Sequence, residues 1–267
     1  MNPDWLVPQW PAPRRVRAIC TTRSGGRSAS PYDGLNLGDH VGDDPAHVDA
    51  NRATMQRAMD AHPVFLSQVH GTQVEWINAD TTQGSPADAS ITDQSGLACT
   101  IMVADCLPVL FTNGPGSLVA AAHAGWRGLA GQGGHGILEA VVERFRSLAP
   151  VDKGFSAPEI IAWLGPCIGP EAFEVGDVVR DAFLAHDPAA RELFKPIAPS
   201  GDGAPTAAKW LADLPGLARL RLAALGVSHT YGNDGSQAWC TVSNPSRFFS
   251  HRRDRVSGRL AASIWLD

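Results

Sequence analysis

The sequence predicts an α+β protein, or a mixed sheet with helices on its faces. Three observations carry that expectation. Short apolar or β-branched runs bounded by Gly, Asn or Pro outnumber the helical segments. The helical segments fall irregularly among those runs rather than after every strand, and there is neither a GxGxxG after a strand nor a GxxxxGK[ST], so a doubly wound nucleotide fold is excluded. Gly (27) and Pro (20) together approach a fifth of the 267 residues, which favours turns over long helices.

In chain order, an apolar run at 15–22 reads as the first strand. A helix follows over 45–60, with Asp44 as N-cap and Pro45 at the first helical position. Strands are expected at 64–69, 73–78, 98–104, 108–112 and 117–123, then a helix over 136–147 and a strand at 159–164. A weaker helix at 175–185 and a firmer one at 214–224, with Pro215 near its start, precede strands at 227–231, 239–242 and 259–266. The Gly/Pro-rich windows 31–45, 112–116, 131–136 and 199–206 are short and lie between periodic segments, and no repeat is visible, so 1–267 reads as a single domain.

Composition excludes several function classes. Net charge is −5 with no long Lys/Arg run, which argues against nucleic acid as a partner. No window approaches 18 consecutive apolar residues, so no membrane span is expected. The opening MNPDWLVPQWPAPRR lacks the basic and apolar regions of a signal peptide, and the expected location is cytoplasmic. Five scattered Cys do not suggest a disulfide framework.

His70 and His123 stand apart from the other histidines. Each closes an apolar run shortly before a Gly, and Cys106 closes a third such run, CTIMVADC. Strand ends project side chains into clefts. Two imidazoles and a thiolate form a sound donor set for Zn²⁺ and leave the fourth position open for water. The same residues admit another reading, a cysteine hydrolase with Cys106 as nucleophile, His123 as base and Asp105 or Gln68 as orienter. Pattern alone does not separate the two, since both place a thiolate near imidazole. Arg52 falls in the middle of the apolar stripe Val48, Met55, Met59 of the first helix. A guanidinium there either snorkels and pairs with a carboxylate or awaits an anion such as phosphate.

Eight ordered segments resemble the laccase-domain family, the bacterial multifunctional purine nucleoside enzymes once described as polyphenol oxidases. They are TTRSGGRS (21–28), PYDGLNLGDHVGDDPAHVDANR (31–52), QVHG (68–71), ADAS (87–90), ADCLPVLF (104–111), AAHAGWRG (121–128), LGPCIGPEAFEVG (164–176) and FFSHRRDRVSGRLAASIWL (248–266). The resemblance runs from about Val7 to the C-terminus. It implies layered mixed β-sheets with helices on the outer faces, similar to bacterial toxin cysteine deamidases. It also implies a catalytic zinc held by His70, Cys106 and His123. The implied activities are phosphorolysis of adenosine, inosine, guanosine and methylthioadenosine, and hydrolytic deamination of adenosine. Copper-dependent phenol oxidation is the alternative, although nine His without an HxH pair fall short of a multicopper site. Segments 128–139 and 233–241 look longer than the family's usual turns and are expected to reshape the pocket mouth.

Purine nucleosides and phosphate are thus the expected partners. Phosphorolysis needs a cationic cradle, for which Arg52 is the first choice and Arg23 and Arg127 the second. The sequence sets no oligomeric state.

Overall fold

Side chains alternate along a strand, so each strand offers one residue set to each neighbouring layer. That rule organises the whole molecule. The structure, a computed structural model, describes residues 2–148, 159–198 and 208–267; the 199–206 window lies outside the described residues. The chain begins β1 (Val16–Cys20), α1 (Pro45–Met59), β2 (His62–Phe65), β3 (Val74–Trp76) and β4 (Ala89–Thr92). It continues through β5 (Leu97–Val103), β6 (Leu107–Asn113), β7 (Val119–Ala124), α2 (Trp126–Ala130), α3 (Ile137–Leu148) and β8 (Ile160–Leu164). Then come β9 (Glu174–Gly176), α4 (Asp177–Leu184), β10 (Phe194–Pro196), β11 (Lys209–Ala212) and α5 (Leu214–Ala224). It closes with β12 (His229–Gly232), α6 (His251–Asp254) and β13 (Leu260–Leu266).

The strands form a six-stranded sheet of order β12-β8-β6-β7-β4-β3, a four-stranded sheet β1-β13-β5-β2 and a small sheet β10-β11-β9. The two larger sheets are mixed: β12–β8, β3–β4 and β2–β5 run parallel, and their other pairs antiparallel. On one face of the six-stranded sheet, Val109, Phe111, Ala120 and Ala122 pack with Val141, Val142 and Phe145 of α3 and Leu217 and Leu222 of α5. The alternate residues Leu110, Val119 and Ala121 join Trp163 against Cys99, Ile101, Val103 and Ala262 of the four-stranded sheet. That sheet's far face, with Ile19, Ala98, Met102 and Trp265, is covered by Met55 and Met59 of α1. The layering is helix, sheet, sheet, helices. Each large side chain buried in these seams contributes roughly 1.5–3 kcal/mol.

The α+β expectation agrees with this architecture. Helix α1 starts where expected, with Asp44 Oδ1 accepting from Ala46 N at 2.9 Å. Two expected strands differ. Strand β2 stops at Phe65, because the chain beyond it turns toward a buried carboxylate described below. Residues 239–242 make no strand; a 3₁₀ turn at Gln237–Trp239 leads into a single bridge between Cys167 and Cys240. Strand β4, in ADASIT, was not foreseen, since its small and hydroxyl side chains carry no clear alternation. No helix among the described residues is long and apolar enough to cross a membrane.

Candidate metal centre

The centre forms where the six-stranded sheet ends. His123 shares the parity of Val119 and Ala121 on β7, so its ring points into the seam between the two large sheets. The antiparallel register Ala89↔Ala122 sets Asp88 beside His123, and His123 N donates to Asp88 O at 2.7 Å. On the same face, Asp88 Oδ1 lies 2.8 Å from His123 Nδ1, and both side chains are buried. A carboxylate only accepts, so Nδ1 keeps a proton, and Nε2 is the nitrogen left to bind a metal once it gives up its own proton.

The same carboxylate builds the turn that carries His70. Its oxygens accept from the backbone N–H of Val69 (3.2 Å), His70 (2.9 Å) and Gly71 (2.7 Å). This draws the chain out of strand geometry, and His70 sits at φ 60°. His70 is therefore a turn residue beyond the end of β2 rather than a strand-end residue. Cys106 also occupies a turn, between β5 and β6. Asp105 before it has φ 89° and accepts from Thr241 Oγ1 and from Arg252 N, both at 2.6 Å. These two bonds hold the backbone that presents the thiol.

The three donors converge. Cys106 Sγ is 3.8 Å from His70 Nε2, the rings of His70 and His123 meet edge-on with centroids 4.7 Å apart, and all three ligand atoms lie within 4.8 Å of one another. Tetrahedral zinc with its usual bond lengths would hold such atoms about 3.5 Å apart. Burial opposes ionisation of Cys106, but the His123 charge and hydrogen bonds from His123 and His70 outweigh it and bring the thiol down to about 6. Burial likewise opposes the charged form of His123, yet the Cys106 charge and the Asp88 hydrogen bond raise it to about 9. Burial also works against the Asp88 carboxylate; bonds from His123 and from the Gly71 and His70 N–H groups overcome this and hold it below the usual range.

The backbone makes room for the cluster at Gly125. A Cβ there would stand 2.9 Å from His70 Cδ2 and 3.0 Å from Cys106 Sγ. Gly128, one turn on, brings α2 against the His70 turn, since its Cβ would meet Gly71 O at 2.9 Å. A thiolate, two imidazoles that bind a metal in their neutral form and a carboxylate behind one of them fit a zinc ion or another thiophilic metal.

The other sequence-chosen residues are distributed differently. Asp105 and Gln68 do not touch His123: the Asp105 carboxylate accepts from Thr241 and Arg252 as above, and Gln68 pairs with the Met102 backbone through both amide atoms. Arg52 does not lack partners. Its Nε donates to Leu37 O at 2.9 Å, it pairs with Asp39 at 3.2 Å, and it stacks over Phe65 at 4.1 Å. Arg23 donates to Asp33 O and Pro245 O, pairs with the Asp33 carboxylate and stacks over Phe249. Arg127 is exposed and stacks over Trp126 at 4.6 Å. Sequence reasoning missed Asp88 as the orienter of His123. The signal was present in ADAS, where an acid sits in an otherwise small and apolar stretch.

Two cavities open beside the centre. One of about 210 Å³ is lined by Cys106, Trp126, Ile168, Phe173 and Leu214, with Arg252 and Arg255 also on its wall. Another, of about 660 Å³, is lined by His70, Thr72, Trp126, Arg127, Gln132 and His135. Segment 128–139 thus forms part of the second cavity's wall, and segment 233–241 reaches the Cys106 turn through Thr241.

Such a cluster on stacked mixed sheets defines an α+β protein with a His/Cys/His group that could hold a metal ion. The sequence model described as "Multi-copper polyphenol oxidoreductase laccase" matches residues 17–267, and the chain belongs to that family. It is 48% identical over 262 residues, 98% of both chains, to a Pseudomonas aeruginosa protein named purine nucleoside phosphorylase. It is 46% identical over 263 residues, again 98% of both, to the Escherichia coli purine nucleoside phosphorylase YfiH. Among solved structures, a Neisseria meningitidis protein aligns with TM-score 0.84 at 44% identity, covering 99% of each chain. YlmD from Geobacillus stearothermophilus aligns with TM-score 0.78 at 31% identity, covering 100% of this chain and 97% of its own.

Proposed function

We propose that this protein is a zinc-dependent purine nucleoside enzyme. Its reactions are phosphorolysis of adenosine, inosine, guanosine and methylthioadenosine to base plus ribose-1-phosphate, and hydrolytic deamination of adenosine to inosine. The observation that carries the reading is the convergence of His70, Cys106 and His123, backed by Asp88, with Cys106 on the wall of a largely apolar cavity. The names of the relatives supply the substrate class. All five cysteines are free, which suits a reducing cytoplasm.

When bound, zinc supplies Lewis acidity and brings water within reach of deprotonation near neutral pH. The chain's own residues do the rest. His70, Cys106 and His123 hold the ion. Asp88 keeps the His123 proton on Nδ1 and so fixes which nitrogen faces the metal. Trp126, Ile168, Phe173 and Leu214 shelter a flat base from water and place it beside Cys106. In phosphorolysis the glycosidic bond breaks as a phosphate oxygen bonds to C1′, and the base leaves with the electron pair and takes up a proton. In deamination, water adds at C6 and ammonia departs. One site serving two nucleophiles is complementary to neither transition state alone, so turnover is slow.

The test is chromatography of products from adenosine with and without phosphate, alongside metal analysis, with Cys106→Ala as the control for contaminating enzymes. Adenine and ribose-1-phosphate should require phosphate, and inosine should not. If neither product forms, or Cys106→Ala makes as much as wild type, the reading fails.

The order Cys106, His123, Asp88 is also that of a nucleophile, a base and its orienter, which favours a cysteine hydrolase as second reading. A chelator that leaves turnover intact, together with a covalent adduct on Cys106, would select it. The family's copper description has less support, since nine His without an HxH pair do not furnish a multicopper site.

A further inference from the structure

Three arginines are candidates for the phosphate of the proposed reaction, and the structure separates them by what their guanidinium groups already hold. Arg23 has its donors on Asp33 O, Pro245 O and the Asp33 carboxylate. Arg52 is held by Leu37 O and Asp39. The Arg127 guanidinium makes no hydrogen bond and no ion pair among the described residues; it stacks on Trp126. Five N–H donors therefore face solvent and the cavity.

That cavity has the composition of an anion site. It is the larger of the two beside the metal centre, about 660 Å³, and Thr72, Gln132 and His135 join Arg127 and His70 on its wall, with no carboxylate among the described lining residues. Glu143 stands nearby, but it is engaged by His135 at 3.0 Å. Trp126 lines both cavities, so the apolar slot reaches the centre from the Cys106 side and the polar cavity from the His70 side. A nucleoside in the slot would meet the centre at Cys106, and an anion in the cavity would meet it at His70. Helix α2, which carries Trp126 and Arg127, is pinned from behind: Arg221 donates to Leu129 O at 3.0 Å and to Ala130 O at 2.7 Å. The guanidinium is thus carried on a fixed element, which limits the entropy lost when it receives a ligand.

We propose that Arg127 receives inorganic phosphate in the cavity on the His70 side of Trp126, whose ring also lines the slot for the base. The assignment rests on the phosphorolytic reading above. Guanidinium matches a phosphate oxyanion with two parallel hydrogen bonds, and a stacked guanidinium keeps its edge donors free to make them.

Titration calorimetry of the zinc-loaded protein with inorganic phosphate tests the site without using activity. Arg127→Ala should weaken phosphate binding at least tenfold. Arg127→Met, which keeps bulk over Trp126 without charge, should be as weak, and Arg127→Lys should recover part of the loss. Metal content should be equal in all four proteins, because Arg127 is exposed and is not a ligand. In kinetics the loss should fall on KM for phosphate more than on kcat. Unchanged phosphate affinity in Arg127→Ala overturns the proposal, as does the absence of phosphate binding at millimolar concentration by wild type. Adenosine monophosphate is the second titrant. If it binds through Arg127 while inorganic phosphate does not, the anion belongs to the substrate and the co-substrate assignment is overturned. If phosphate binds through Arg127 and no nucleoside is turned over, the site stands and the phosphorolytic reading falls.

Discussion

Asp88 Oδ1 and His123 Nδ1 lie 2.8 Å apart in the seam between the two large sheets, on neighbouring antiparallel strand positions. The same carboxylate accepts three backbone N–H groups from the turn bearing His70. One buried side chain therefore fixes a proton on Nδ1 of one member of the cluster and the backbone of another. Cross-strand register places the first, and the left-handed His70 turn closes on the second.

Asp88→Asn should lower zinc affinity by about ten- to a hundredfold, the usual loss when the carboxylate behind a metal-bound imidazole is removed. An amide can still accept from the His70 turn with its oxygen, but it no longer compels His123 to keep its proton on Nδ1. Competition with a chromophoric chelator measures this directly. Affinity equal to wild type would show that the carboxylate does not orient the ligand. Asp88→Ala should do more, since the buried His123 and three N–H groups lose their partner together, at roughly 3–5 kcal/mol of stability.

Gly125→Ala tests how tightly the backbone frames the donors. The added methyl carbon would sit 2.9 Å from His70 and 3.0 Å from Cys106. Gly125 has φ −65°, a conformation any residue adopts, so the effect is one of space and not of backbone strain. The variant should purify with little metal and a circular dichroism spectrum like that of wild type. Full metal occupancy would mean that His70 swings aside at little cost.

The architecture was legible where apolar runs are continuous. The apolar runs in 98–104, 108–112 and 117–123 marked three of the strands between which the core forms, and Asp44-Pro45 marked the start of α1. His70, Cys106 and His123 were legible as a set because each follows an apolar run. What escaped was geometry made by long-range pairing. Asp88 meets His123 through strand register, which no local pattern contains. Arg52 looked unpaired because its acid, Asp39, lies in a loop before the helix, and its carbonyl partner, Leu37, is equally remote from the helical stripe. The small β9–β11 sheet escaped because two of its strands are three residues long, too short to show alternation.

Arg52→Ala should act on stability rather than on phosphate. It removes a carbonyl hydrogen bond, a half-exposed ion pair and a stack on Phe65, together about 1–2 kcal/mol after allowance for solvent screening. Thermal unfolding should shift down by a few degrees. The KM for phosphate should stay within about twofold of wild type, since a shift of that size is under 0.5 kcal/mol. A tenfold rise in that KM with no change in unfolding temperature would return Arg52 to the role its place in the sequence first suggested.

The cysteines should divide four to one in native alkylation, because Cys20, Cys99, Cys167 and Cys240 are buried and Cys106 is half-buried at the mouth of a cavity. Burial pushes the thiols of Cys20 and Cys99 up to about 12, and burial together with the Asp213 charge also holds Cys167 well above the usual thiol range. A haloacetamide therefore finds neither access nor thiolate at those three positions. Metal-free protein treated briefly at neutral pH should gain one adduct, located on Cys106 by peptide mass spectrometry, and unfolded protein should gain five. Zinc loading should slow the single modification, because a sulfur committed to a metal has lost much of its nucleophilicity. Equal rates with and without zinc would remove Cys106 from the ligand set. Two or more rapid adducts on the folded protein would mean that the seam between the sheets opens far more readily than its packing implies.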